Sequence, residues 1–127
     1  MSQPLTEPHL TDEIRKHYDI LSSFYHLLWG PHIHHGYWED GEGVAEAQIK
    51  LIERLAAKLE IATEQHVLDI GSGLGGSTCW LAKTFRCSVL GLTLSPVQAK
   101  AGEKRAVDEG VADRVRFEVH DANELDV

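Results

Sequence analysis

His66-Val67-Leu68-Asp69-Ile70-Gly71-Ser72-Gly73-Leu74-Gly75-Gly76-Ser77-Thr78 is the stretch on which the reading of this chain turns. A short apolar run carries an acid near its end. A glycine-rich turn follows, then a sequence suited to the start of a helix. Glycines at 71, 73 and 75 remove the Cβ, so the backbone can turn tightly and approach a ligand closely. The helix that follows presents unpaired N–H groups and the positive end of its dipole. That pairing suits a ligand with a carboxylate or a phosphate.

Gly71, Gly73 and Gly76 satisfy G-x-G-x-x-G, the dinucleotide fingerprint. The fingerprint also expects an acid about 20 residues on, where the second strand ends. No Asp or Glu occurs between Ile70 and Gly102, and Asp69 stands two places before the first glycine. Both features count against NAD(P) and an oxidoreductase.

The chain has 127 residues, enough for one domain with a modest core. Its net charge of −8 opposes nucleic-acid phosphates and acidic membrane surfaces. Two cysteines, Cys79 and Cys87, make no disulfide framework, which fits a reducing, cytoplasmic setting. Residues 1–11 lack the apolar core of a signal peptide, and no run approaches membrane-spanning length. The expected partners are a small-molecule substrate, with no nucleic acid and no membrane.

Two regions are expected, an arm, helix and lid over 1–43 and a cofactor-binding unit over 44–127. Residues 1–9 read as a mobile arm. Ile14, Tyr18, Leu21, Tyr25 and Leu28 recur at helical spacing over 12–28. Trp29-Gly30-Pro31-His32-Ile33-His34-His35-Gly36-Tyr37-Trp38 then packs aromatics and imidazoles together. Three histidines in four residues raise zinc, but no second cluster with ligand spacing accompanies them, so no metal is expected. A lid, apolar with a few polar tips, is the favoured reading.

Residues 44–59 read as an amphipathic helix with Ile52, Leu55, Ala56 and Leu59 on one face and a Glu46–Lys50 pair on another. A helix over 75–85, with Trp80, Leu81 and Phe85 inward, precedes a buried parallel strand over 88–94. Ser95, Pro96 and Gln98 form a capped helix start, and Gly110 stops that helix after 109. Residues 114–120 alternate as a third strand, with Val115, Phe117 and Val119 facing one way.

The stretch 69–75 resembles motif I of the class I S-adenosylmethionine-dependent methyltransferases, Asp-x-Gly-x-Gly-x-Gly. Tyr18-Asp19, Phe24-Tyr25, Trp29-Gly30, the His32–Trp38 segment and Gly91-Leu92-Thr93-Leu94-Ser95-Pro96-Val97-Gln98-Ala99 resemble tocopherol C-methyltransferases. Sterol methyltransferases and cyclopropane fatty acid synthases are more distantly similar. The resemblance implies an α/β, Rossmann-like class I methyltransferase fold and S-adenosyl-L-methionine as cofactor. It implies that Tyr18, Asp69, Gly71, Ser72, Gly73 and Gly75 hold the methionine end of that cofactor. Thr93, Leu94 and Gln98 would then meet the ribose, and Asp121 and Ala122 the adenine. His34 and His35 are the candidate general bases. The acceptor implied is a small hydrophobic or aromatic molecule.

Such a fold has seven strands in the order 3-2-1-4-5-7-6, and this sequence supplies strands 1 to 3. Strand 1 is therefore expected to show an open edge. The chain would be part of a longer protein, or the edge would be covered by a homodimer partner or a complementing C-terminal half. A non-catalytic binding or interaction module is the remaining alternative.

Overall fold

A computed structural model describes residues 12, 14–16 and 36–125 of the chain. Tyr18, His34 and His35 lie outside the described residues, as do most of the expected first helix and the histidines of the expected lid. The described elements are α1 (Val44–Leu59), β1 (His66–Ile70), α2 (Gly76–Phe85), β2 (Ser88–Thr93), α3 (Pro96–Asp108), β3 (Val115–Val119) and a 3-10 turn, Ala122–Glu124. The strands form one parallel sheet in the order β1-β2-β3, with Asp69, Gly91 and Phe117 in one row. Sheet order, connectivity and the glycine turn after β1 are those expected of a Rossmann-like methyltransferase fold.

One face of the sheet carries the core. Val89, Val115 and Phe117 pack with Cys79 and Ala82 of α2 and with Ala99 and Ala106 of α3. The fully buried residues of α2 are thus its small ones, while Leu81 and Phe85 pack half-buried against this core as expected and Trp80 is half-buried. Small side chains let α2 lie close to the sheet. Trp80 and Phe85 meet edge to face at its margin, ring centroids 6.0 Å apart. Among the described residues nothing packs over the other sheet face at β1, where Leu68 and Ile70 are 44% and 58% exposed. A shallow hollow of about 350 Å³ on that face is lined by His66, Ser88, Leu90 and Arg116. It belongs to the uncovered sheet and not to the glycine turn.

Two expectations for α1 need correction. Ile52 and Ala56 are buried with Ala47 and Gln48, but Leu55 and Leu59 lie exposed beside that stripe. Lys50 turns away from Glu46 and pairs with Glu42 and Glu39. An exposed i,i+4 pair is worth only a few tenths of a kcal/mol. Glu42, by contrast, is already aimed, because its carboxylate accepts the N–H groups of Glu39 and Asp40, each at 3.0 Å. In β3, Val115 and Phe117 are buried as expected, but Val119 is 43% exposed where the strand leaves the helices.

The core is closed by the Phe117 ring, which sits among three glycines. A Cβ on Gly75, Gly91 or Gly102 would lie 2.6, 2.8 or 2.7 Å from that ring. These contacts come from the start of α2, the middle of β2 and the middle of α3. The ring thus replaces three side chains and draws the helices onto the sheet. Replacing Gly102 by alanine improves helix propensity by up to about 1 kcal/mol. The clash is expected to win, with Gly102→Ala destabilising by about 1–3 kcal/mol in urea unfolding. The double variant with Phe117→Leu should recover part of that loss.

Candidate functional site

Three parallel strands end side by side, and the residues expected to bind a ligand follow each end. The glycine turn follows β1, Leu94 follows β2 and Asp121 follows β3. In open α/β sheets the carboxyl ends of the strands form the ligand crevice.

The turn after β1 is anchored from several sides. Ser72 N–H donates to Leu92 O at 2.9 Å, Gly75 N–H to Ser72 O at 3.0 Å and Arg105 Nε to Leu74 O at 3.3 Å. Gly71 and Gly73 hold φ of +71° and +56°, and a Cβ on either would meet nothing within 4 Å. They require glycine for conformation, and they border open space. Gly75 differs. It also has positive φ, but its bare Cα rests on Phe117 and its N–H is used within the turn. Its bare Cα packs beneath the shelf, where the Phe117 ring needs the space.

Asp69 lies half-buried in β1, and its Oδ2 accepts the Thr78 hydroxyl at 2.7 Å. Thr78 is wholly buried in α2, so the helix orients the carboxylate. The partner of Thr78 is thus a side chain nine positions back, on the strand that enters the turn. The amino end of α2 has no side-chain cap and no acid in its first turn, which leaves its dipole available to an anion. Ser72 Oγ is the one buried side-chain polar atom among the described residues without a hydrogen-bond partner. The turn therefore carries an unmet bonding demand.

At the end of β2 the expected capping box takes a relayed form. Ser95 Oγ accepts Gln98 N–H at 3.1 Å, but the Gln98 side chain does not return to Ser95. Its Oε1 accepts the Thr93 hydroxyl at 2.9 Å, and Thr93 Oγ1 in turn accepts Ser95 N–H at 3.1 Å. Thr93 and Gln98 are both buried and serve first as the brace of this turn. His120 N–H donates to Thr93 O at 3.0 Å and extends the β2–β3 pairing. Asp121 then caps the 3-10 turn, its Oδ1 accepting from Asn123 N and Nδ2 at 2.9 Å each, while Ala122 is exposed.

Of the expected lid, Gly36, Tyr37 and Trp38 are described, and they fasten onto α1. Tyr37 N–H donates to Ala47 O at 2.8 Å, Trp38 Nε1 donates to Glu42 O at 3.0 Å, and the Arg54 guanidinium lies 4.2 Å over the Tyr37 ring. Among the described residues no three His, Cys, Asp or Glu side chains gather as a metal centre requires. No helix among them is long and apolar enough to cross a membrane.

The sheet order and the shelf at its carboxyl end define the first three strands of a class I S-adenosylmethionine-dependent methyltransferase fold. The chain belongs to the mycolic acid cyclopropane synthetase family, whose profile matches residues 6–127. It is 38% identical over 122 residues to 27-O-demethylrifamycin SV methyltransferase of Amycolatopsis mediterranei, covering 95% of this chain and 44% of that protein. It is 34% identical over 122 residues to the chloroplastic tocopherol O-methyltransferase of Arabidopsis thaliana, covering 86% of this chain and 35% of that one. A mycolic acid cyclopropane synthase solved with SAH and CTAB superposes with a TM-score of 0.84 at 26% identity, covering 94% of this chain and 43% of that one. The chain thus spans less than half the length of these relatives.

Lys50, together with the Glu39 and Asp40 N–H groups, holds the Glu42 carboxyl down at about 2, below its ordinary 4.5. A depressed acid contributes stability that is complete above its unfolded value and is lost as pH falls through its folded one. The fastening of residues 36–43 should therefore weaken only between about pH 4.5 and 2. A carbon NMR titration of the Glu42 carboxyl should show a midpoint near 2. Lys50→Met should move that midpoint back towards 4.5.

Proposed function

We propose that this chain is the cofactor-binding portion of an S-adenosylmethionine-dependent methyltransferase acting on a small hydrophobic or aromatic molecule. The observation that carries this reading is the shelf made by Gly71 and Gly73, two left-handed residues bordering open space beside an uncapped helix start. Family membership and a similar fold solved with SAH support it. So do the acceptors for which the relatives are named, a tocopherol and a demethylrifamycin.

In this reading Asp69, held by Thr78, faces the ammonium of the methionine end, and the shelf with the start of α2 takes its carboxylate. The resemblance adds Tyr18 to the residues that hold the same end. Thr93 and Gln98 brace the Leu94 turn against the ribose, Asp121 accepts from the adenine amino group, and the Ala122 N–H meets the ring. When bound, the cofactor supplies an activated methyl group. The protein's task is then to align the acceptor and exclude water. His34 or His35 takes a proton where the acceptor must lose one. Residues 1–43 form the cover and 44–127 the cofactor floor. Cys79 and Cys87 are free, buried thiols, and burial pushes Cys79 up to about 12. Unreactive thiols of this kind accord with a cytoplasmic setting.

Calorimetric titration should show S-adenosylhomocysteine binding and no NAD binding. Asp69→Ala should weaken that binding by about tenfold or more. Ser72→Ala is expected to split in sign. Removal of an unpaired buried hydroxyl leaves the unliganded chain as stable or more so, while affinity falls. Unchanged affinity in both variants would overturn the proposal, and binding without turnover on an acceptor panel would favour a non-catalytic module.

We assign the open edge of β1, with Leu68 and Ile70 exposed on its bare face, to a covering strand from a complementing C-terminal half or a homodimer partner. Sedimentation velocity of the chain alone should show self-association. A monomer that melts cooperatively would rule out that need.

A further inference from the structure

The amino-terminal segment touches the site at a point the sequence does not announce. Arg15 Nε donates to Leu94 O at 2.8 Å across 79 positions of chain. Leu94 is the first residue beyond β2, at the sheet end shared by the Gly71–Gly73 shelf and Asp121. The turn it occupies is fixed from within. Thr93 O accepts from His120, Ser95 N–H is held by Thr93 Oγ1, and Thr93 is held by Gln98. A segment attached to Leu94 O therefore inherits a defined position over the carboxyl ends of the strands.

The donor is suited to the task. The guanidinium is planar and always charged, and its bond to a carbonyl is stronger than a neutral one. Its Nη1 also lies 3.3 Å from Asp12 Oδ1 within the same segment. That pair is exposed and contributes little stability itself, but it aims the fork so that Nε meets Leu94. In sequence, Tyr18 follows shortly after Arg15.

We infer that Arg15 is a positioning residue for cofactor binding, clamping the amino-terminal segment to the carboxyl end of β2, so that clamp and cofactor favour each other. The inference rests on the proposed identity of the site. Coupling of this kind is reciprocal: a clamp that raises affinity must itself be tightened by the ligand.

Two measurements test it on the full chain, calorimetry with S-adenosylhomocysteine and amide hydrogen exchange across residues 12–16. Saturating ligand should slow exchange across that segment in the unaltered chain. Arg15→Ala should bind about fivefold or more weakly and lose the added protection. Arg15→Lys, which keeps a charged donor, should recover part of both, and Lys16→Ala should change neither. Wild-type affinity in Arg15→Ala, or ligand-independent exchange across 12–16 in the unaltered chain, would overturn the clamp. Absence of any ligand binding by the unaltered chain would instead sink the reading of the site. Should Arg15→Ala not fold, Arg15→Gln, which keeps only a neutral donor, is measured in the same way, with the same outcomes deciding.

Discussion

The packing of one aromatic ring against three bare Cα atoms underlies the rest of this structure. Phe117 reaches from β3 across Gly91 of β2 to Gly75 at the start of α2 and Gly102 of α3. Because protein interiors are close-packed, the ring sets how near the helices approach the sheet. It also sets the height of the glycine turn, since Gly75 closes that turn through its bond to Ser72 O. The shelf at Gly71 and Gly73 and the aim of Asp69 through Thr78 are consequences of that seating. The most site-like feature of the molecule thus rests on a residue that no ligand would touch.

Much of this was legible in the sequence, for reasons that can be named. The helix over 44–59, the strand starting at Ser88 and the Ser95-Pro96-Gln98 helix start are written in local patterns, where periodicity and capping act over a few residues. The acid-and-glycine turn at 69–75 was readable because positive φ restricts residue choice sharply. Other features depend on partners distant in sequence. Nothing local says that Gly91 and Gly102 share a ring with Gly75, that Thr78 bonds Asp69, or that Arg15 meets Leu94. The exposure of Leu55 and Leu59 was hidden for a related reason. Apolar spacing shows which residues share a face, but it does not say what covers that face.

The two ends of the site are stiffened by different means. After β1 the turn is held by backbone bonds and by Phe117 beneath it. After β2 the same work falls to a chain of side-chain bonds, from Gln98 through Thr93 to Ser95. That chain fills a position where dinucleotide folds place an acid. A hydroxyl braced from behind offers a fixed backbone surface without adding negative charge. Under the proposed reading this suits a cationic ligand facing Asp69, and the missing acid sets the turn apart from the dinucleotide type more firmly than the glycine pattern alone.

The order of the sheet bears on how the chain comes together in time. Strands β1, β2 and β3 are neighbours in space in the order in which they are synthesised, each joined to the next by one helix. Contacts between successive elements close short loops, and short loops form early. The floor of the site can therefore assemble as the polypeptide lengthens, each strand docking on its predecessor. Throughout that interval β1, paired only with β2 among the described residues, presents its other row of amides and carbonyls beside Leu68 and Ile70. Nascent chains held close together would be most prone to stick at that row.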